Sequence, residues 1–286
     1  MSTIRLRTPA KINIYLGVLN RRADNYHELE TVFQAIELYD ELVIRKKKGK
    51  SKLFVRNSPE LQGDDNLIYK ALRWVENRCE VKLEVELELD KQIPVAAGLG
   101  GGSSDAAATI LGLRELFNLS ELSDEVMRQG ALSLGADVPF FLKGGTAIGE
   151  GIGERLTPFN LKEDYNILLV NPGFSVSTAE IFSAYSRTLT VSKKKGTLRG
   201  LLNRGVALSE LLHNDLQQVA ETMYPEIGSI RETFVHNGMT DVLMTGSGPT
   251  VFALGKSDEL KAVMGSFDQK YRLMLTRPSS RGVLID

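Results

Sequence analysis

Four glycines crowd into the stretch Pro94-Val95-Ala96-Ala97-Gly98-Leu99-Gly100-Gly101-Gly102-Ser103-Ser104-Asp105. A backbone of that kind turns tightly and offers no Cβ to block a ligand. Where such a turn opens a helix, its free N–H groups and the positive helix end converge on an anion, ideally a nucleotide phosphate. Ser103 and Ser104 add hydroxyls suited to phosphate oxygens or a metal. A glycine cluster by itself is also compatible with a flexible turn, but a strong strand before it and a helix after it favour the anion site. The Walker, dinucleotide and protein-kinase patterns do not match. No lysine follows the glycines as a Walker loop requires, and Ser103 stands where a dinucleotide fingerprint needs glycine. Neither His-Arg-Asp nor Asp-Phe-Gly of the protein kinases occurs, nor the Gly-x-Ser-x-Gly of a hydrolase elbow.

Three further segments carry reactive residue types. In Pro9-Ala10-Lys11-Ile12-Asn13, strand alternation sets Lys11 and Asn13 on one face, opposite Ile12 and Ile14. An amine beside an amide suits an anionic or hydroxylated ligand, although a solvated strand face reads the same way. In Gly135-Ala136-Asp137-Val138-Pro139-Phe140-Phe141 a lone carboxylate stands among small and apolar residues, fit either for proton transfer or for capping the next turn. Thr245-Gly246-Ser247-Gly248-Pro249-Thr250, between two apolar runs, permits a plain hairpin or a second approach to phosphate.

The elements that must hold these groups are visible in the periodicity. Apolar alternation from Ile4 to Val18 predicts an opening strand, with Pro9 at an edge or bend. The polar Arg21–Tyr26 segment predicts a turn in which Asn25 tolerates a left-handed backbone. Thr31 to Ile44 is apolar again, and Lys46-Lys47-Lys48-Gly49-Lys50 predicts the solvated tip of a hairpin leading to Leu53-Phe54-Val55. Asp64-Asp65-Asn66 reads as a helix start, with Leu67, Ile68, Ala71, Leu72 and Val75 on one side. Residues 81–89 alternate most cleanly, as a strand wet on one face. Helices follow over about 103–117 and 123–134, and a buried strand over 167–170. A mostly helical stretch then runs to Val242, broken by a flexible Lys193–Gly196 run. A strand-turn-strand over 241–254, a helix from about 257 to 267 and a strand from 271 to 276 complete the chain. A seam near residues 150–165 separates two mixed α/β units.

Composition narrows the classes. The chain has 286 residues, 42% hydrophobic and 25% charged, enough for two ordered domains. With 35 basic and 36 acidic side chains the formal charge is -1, so nothing pulls the whole molecule towards nucleic acid or an anionic membrane. The lysine tip lacks interleaved aromatics and does not read as a nucleic-acid site. One cysteine, Cys79, cannot form an internal disulfide, which points to the cytoplasm. Three scattered histidines argue against a zinc site. No apolar run approaches bilayer length, and the opening MSTIRLRTPAKIN has no signal core.

In this order, PAKIN, RADNYH, PVAAGLGGGSSDAA, LGADVPFF and MTGSGPTVFA resemble the GHMP kinase superfamily, which includes kinases of galactose, homoserine and mevalonate. The resemblance runs from about residue 8 to the end. It implies an α+β, two-domain fold, with an N-terminal domain like the second domain of ribosomal protein S5 over 1–155. A ferredoxin-like domain is implied over 156–286, with ATP and acceptor meeting between the two. It further implies ATP and Mg2+ as cofactors and a phosphoryl acceptor that is a small alcohol carrying a cytidine diphosphate group, in isoprenoid precursor synthesis. Lys11 and Asp137 match the catalytic pair, and Pro94, Val95, Ala96, Ala97, Gly98, Leu99, Gly100, Gly101, Gly102, Ser103 and Ser104 match the ATP phosphate loop. Asn66, Leu67, Ile68 and Lys70 of DDNLIYKA match a border of the adenine. Tyr26 and His27 fall where the family reads the cytosine ring, Phe182 of STAEIF matches the aromatic on its other face, and Asn13 belongs to the same acceptor side. The family commonly has glycine at the place of Asn25 and asparagine at that of Asp105. The superfamily's magnesium glutamate has no counterpart, so no metal ligand is assigned. A monomer or weak homodimer, free of nucleic acid and membrane, is expected. The rival readings are another small-alcohol kinase of the superfamily, which has no use for a cytosine clamp, and a nucleotide-binding homologue without catalysis, against which Lys11 and Asp137 speak.

Overall fold

A computed structural model describes residues 2–23, 26–161, 164–188, 198–205 and 207–286. Asn25 and the Lys193–Gly196 run lie outside the described residues. The N-terminal half runs β1 (Thr3–Arg21), β2 (His27–Lys46), β3 (Lys52–Arg56), α1 (Leu67–Cys79), β4 (Val85–Asp90), α2 (Gly101–Phe117), α3 (Asp124–Leu134), α4 (Val138–Phe141), β5 (Thr146–Gly151) and β6 (Arg155–Pro158). Then come β7 (Asn166–Asn171), α5 (Thr178–Thr188), α6 (Leu198–Asn203), α7 (Leu208–Leu211), β8 (His213–Asn214), α8 (Gln217–Met223) and α9 (Pro225–His236). The chain closes with β9 (Val242–Met244), β10 (Val251–Gly255), α10 (Ser257–Met264), β11 (Arg272–Thr276) and β12 (Leu284–Ile285).

Two sheets form. The first has the path β12-β1-β2-β4-β3, with β5 and β6 continuing from β2 and β8 lying parallel to β1. The second is the antiparallel order β11-β7-β10-β9. This is a mixed α+β arrangement on two sheets, as the sequence leads one to expect. Its long opening strand is buried on both sides for a physical reason. Ile4 and Leu6 pack with Ala106, Ala107 and Ile110 of α2. Beyond a register shift at Pro9/Ala10, the next even-numbered residues, Ile12 and Ile14, pack instead with Ile167 and Leu169 of β7. A bulge thus turns the strand so that one element serves two cores. β7 is apolar from Ile167 to Val170 because Ile167 and Leu169 face that core while Leu168 and Val170 face Ile227, Ile230 and Leu260.

Helix boundaries follow their caps. The Asn66 side chain accepts from the Ile68 amide and Ser123 from Val126, opening α1 and α3. Two expectations need correction. The lysine tip is not the end of a β2–β3 hairpin, because β4 lies between those strands, antiparallel to β2 and parallel to β3. Parallel neighbours need a crossover, and α1 supplies it, carrying the chain from β3 to β4. The tip is also less free than a solvated end: Lys46 Nζ lies 4.5 Å from the Phe117 ring centroid and Lys47 pairs with Glu86. Strand pairing around residue 85 begins four residues later than the alternation suggests, since the chain leaves α1 through Glu80 in a left-handed turn, φ 53°, and Val81 is exposed. Among the described residues no helix is long and apolar enough to cross a membrane.

Candidate active site

β1 carries Lys11 and Asn13 into the space between the two units, where both are buried. The alternative of a solvated strand face is excluded. Lys11 Nζ donates to Asn13 Oδ1 at 2.7 Å and lies 3.4 Å from Asp137 Oδ2. The Asn13 amide donates to Thr31 Oγ1 (2.8 Å), which donates to the Tyr15 carbonyl (2.6 Å). This chain of bonds fixes the amide's orientation, leaving its oxygen to hold the ammonium. Asp137 precedes α4 but makes no side-chain capping bond. The capping role open to it in the sequence is therefore not taken. Its carboxylate is one-third exposed and turned to Lys11, while Val138, Pro139, Phe140 and Phe141 anchor the turn in the core. A lysine and a carboxylate so placed can share a proton-transfer task with a hydroxyl brought between them.

The glycine loop runs directly above this pair. Gly98 and Gly100 adopt φ +74° and +71°, and a Cβ on Gly98 would lie 2.2 Å from the Thr245 carbonyl oxygen. On Gly100 it would lie 2.7 Å from the Phe141 ring and 3.1 Å from Lys11 Cγ. Those two glycines exist so that backbone can press against backbone and against the lysine. Gly102 differs, since a Cβ there would meet only Leu67 Cδ1 at 3.8 Å, and its free side faces the cleft. α2 starts at Gly101, and the Ser104 amide already donates to the Gly100 carbonyl. The amides of residues 101–103 therefore remain as the helix's unsatisfied donors. Leu99 is fully buried and its carbonyl accepts from the Lys11 amide. Ser103 lines the cleft, whereas Ser104 is buried with its Oγ lacking any partner.

Beneath the loop lies a charged cluster that the sequence reading did not single out. Lys91 Nζ donates to Asp40 Oδ2 (2.5 Å) and Asp105 Oδ2 (3.0 Å), and Thr8 donates to Asp105 Oδ1 (2.7 Å). Asp40 Oδ1 accepts from the Gln92 and Ile93 amides. Burial, then the Asp105 charge, push the Asp40 carboxyl up to about 6 in spite of Lys91. The two carboxylates hold the Lys91 ammonium protonated against its burial. One signal was available. Residues 83, 85, 87 and 89 point inward, and the same parity puts Lys91 inside.

The cleft measures about 440 Å3 and is lined by Lys11, Asn13, Asp137, Asn66, Leu67, the loop and Phe182. That size suits a small-molecule ligand. Its apolar wall is completed by Leu16, Leu29 and Phe33, and Gly246 and Ser247 form one rim. Asn66 reaches it while committed to capping, donating also to the Leu61 carbonyl (2.8 Å); Lys70 stays outside the lining. At the other end, the His27 ring stacks on Phe182, centroids 5.2 Å apart at 25°, and its Nε2 bonds Ser186 Oγ at 2.7 Å. Burial first, and Arg21 second, lower the His27 pKa. Tyr26 is 61% exposed and, like His27, lies outside the lining. Among the described residues no three His, Cys, Asp or Glu side chains gather as a metal site.

Known proteins resemble this chain over most of its length. The family models "GHMP kinases N terminal domain" and "GHMP kinases C terminal" match residues 66–145 and 198–273. The 4-diphosphocytidyl-2-C-methyl-D-erythritol kinase of Clostridioides difficile is 38% identical over 295 residues, covering 100% of this chain and 98% of that protein. That of Acetivibrio thermocellus is 38% identical over 263 residues, covering 91% of this chain and 92% of the relative. A crystal structure of 4-(cytidine 5'-diphospho)-2C-methyl-D-erythritol kinase superposes with TM-score 0.78 at 32% identity, covering 96% of this chain and 99% of the other. A homoserine kinase from Cytophaga hutchinsonii shares the fold, TM-score 0.76 at 14% identity, over 100% of this chain and 98% of its own.

Proposed function

This chain belongs to the GHMP kinase family, and we propose that it transfers the γ-phosphoryl group of ATP to the C2 hydroxyl of 4-diphosphocytidyl-2-C-methyl-D-erythritol, a step of isoprenoid precursor synthesis. The observation that carries the reading to these atoms is the 3.4 Å approach of Lys11 Nζ and Asp137 Oδ2 directly under the amino end of α2.

In this reading the free amides of Gly101, Gly102 and Ser103, with the helix dipole, hold the triphosphate. Asn66 and Leu67 border the adenine, and Tyr26 and His27 take the cytosine by stacking and by hydrogen bonds to the base edge, with Phe182 on the other ring face. Asp137 accepts the proton of the C2 hydroxyl as its oxygen bonds to the γ-phosphorus and the bond to the β,γ-bridging oxygen breaks, releasing ADP. Lys11, held by Asn13, keeps the carboxylate and hydroxyl in register and stabilises negative charge on the attacking oxygen. A loose transition state asks for little base assistance, so positioning by this pair carries much of the effect. The Ser103 hydroxyl, which lines the cleft, is a hard oxygen donor of the kind Mg2+ accepts beside phosphates. This residue would hold the ion, which would supply charge neutralisation when bound. The same reading places the enzyme in the cytoplasm as a monomer or weak homodimer, built of units 1–155 and 156–286.

An ADP-release assay with 4-diphosphocytidyl-2-C-methyl-D-erythritol, homoserine and mevalonate side by side tests the assignment. Turnover with the first alone, inhibited by CMP in competition with the acceptor, is the expected result. Turnover with homoserine or mevalonate instead removes it.

A further inference from the structure

The turn Thr245–Gly248 is gripped from behind by one side chain. Asn214, buried on β8, donates through Nδ2 to the carbonyls of Met244 (2.7 Å) and Gly246 (2.9 Å), and its Oδ1 accepts from the Leu216 amide (2.9 Å). Every hydrogen-bonding capacity of that amide group except one lone pair is used. β8 is a two-residue strand, and its place is set by β1: Asn214 sits opposite Leu16, and the Asp215 amide donates to the Leu16 carbonyl (2.9 Å). The Asp215 carboxylate accepts from the Val18 amide at 2.7 Å. The register of the strand carrying Lys11 is thus passed to the turn. From the front, Thr245 Oγ1 accepts from the Asn13 backbone N–H (3.1 Å) and donates to the Gly98 carbonyl (3.2 Å).

The consequence lies in the peptide joining Gly246 to Ser247. A trans peptide points its C=O and N–H in opposite directions. With the Gly246 carbonyl drawn to Asn214, the Ser247 N–H is turned away from Asn214. Among the described residues no group accepts from that N–H, although Ser247 is buried and Gly246 and Ser247 line the cleft. The Ser247 hydroxyl is engaged elsewhere, 2.8 Å from Thr178 Oγ1. A buried amide without a partner is costly, and a ligand oxygen relieves it.

We propose that Asn214 is a positioning residue that presents the Ser247 backbone N–H to a phosphate oxygen in the cleft. The glycine turn then acts as a second phosphate-binding backbone facing the amino end of α2. The proposal rests on the kinase reading above, which brings two phosphate sources into the cleft, the ATP triphosphate and the acceptor's diphosphate.

Steady-state kinetics of Asn214→Asp and Ser247→Pro against the wild type, varying ATP and the cytidine diphosphate alcohol separately, test it. Asn214→Asp keeps the Leu216 contact but sets a carboxylate against two carbonyls, and Ser247→Pro deletes the donor itself. Both variants raise KM for the same one reactant by about 10- to 100-fold, the range of a hydrogen bond to a charged group, with kcat at saturation within about threefold. Which KM moves identifies the phosphate. For Asn214→Asp the defect shrinks as pH falls, because a protonated carboxyl regains a donor. An unchanged KM in either folded variant, or both KM values and kcat shifting together with the melting midpoint, overturns the proposal. If Asn214→Asp does not fold, Ser247→Pro decides alone. Failure of the wild type to release ADP with this acceptor counts against the kinase reading instead, and ATP binding to the two variants by calorimetry then decides whether the turn contacts the triphosphate.

Discussion

Asp137 shows how one side chain's surroundings select among its chemical roles. A carboxylate before a helical turn normally accepts from that turn's amides, yet here it caps nothing and faces Lys11. Asp137→Asn keeps the volume and removes both the proton acceptor and the charge. Turnover should fall about 10²- to 10⁴-fold, while nucleotide affinity, which rests on the glycine loop, stays near that of the wild type. Turnover beside equilibrium ATP binding checks this, and near-normal turnover would strip Asp137 of the role. The buried Asp40 makes a different prediction. Its carboxyl is raised from 3.8 to about 6, so the folded chain holds a proton that the unfolded chain has released. Stability from this group is complete below about 3.8, declines as pH rises to about 6, and is gone above it. Asp105→Asn removes the neighbouring charge, second only to burial among the causes, and should flatten that decline. Melting midpoints between pH 4 and 7 in the two proteins read it out, and equal slopes would clear Asp105 of the effect.

At the scale of elements, the strand-loop-helix from β4 to α2 assigns its glycines two separate duties. Gly98 serves packing. Gly98→Ala forces a left-handed backbone on alanine and drives a methyl into the Thr245 carbonyl, so a loss of about 2 kcal/mol or more is expected, and activity with it. Gly102 serves access. It lies in a helix, where alanine is favoured by about 0.5–1 kcal/mol, so Gly102→Ala should melt no lower than the wild type yet raise KM for ATP. Thermal melts with ATP kinetics separate the two, and parallel losses in both variants would refute the division. These positions also mark how far the sequence could be read. The polar start Asp64-Asp65-Asn66, Ser123 and the glycine run announced α1, α3 and α2 because each signal is local. Partnership between strands is not local: nothing near the lysine tip tells that β4 will enter between β2 and β3. Lys11 and Asp137 were legible as chemistry, but their approach depends on how residues 126 positions apart meet. Asp40 and Lys91 escaped notice for a further reason. A lone charge inside an apolar run has meaning only once its counter-charges, here on β2, the loop after β4 and α2, are seen together.

For the molecule as a whole, the order of the chain differs from the order of its fastenings. The last residues leave the second sheet and return to the first, where Leu284 and Ile285 pair with Arg7 and Leu6. On the way the Ser279 amide donates to the Ala35 carbonyl (2.7 Å), Gly282 to that of Lys143 (2.8 Å) and Val283 to that of Phe141 (3.2 Å). The segment therefore lies across the exit of α4, the short turn whose entrance carries Asp137. A four-residue helix has little stability of its own, so what holds its exit also holds its entrance. Gly282 is where this contact is tightest, since an added Cβ would stand 2.3 Å from the Phe141 carbonyl oxygen and 2.9 Å from the Gly144 amide nitrogen. Gly282→Ala must push the tail and the turn apart. A stability loss of about 1–3 kcal/mol is expected from overpacking of this kind. If the tail orients the carboxylate, kcat falls further than the folded fraction does. A melt recorded beside kcat on the same samples distinguishes this from simple fastening, in which specific activity per folded molecule would equal that of the wild type.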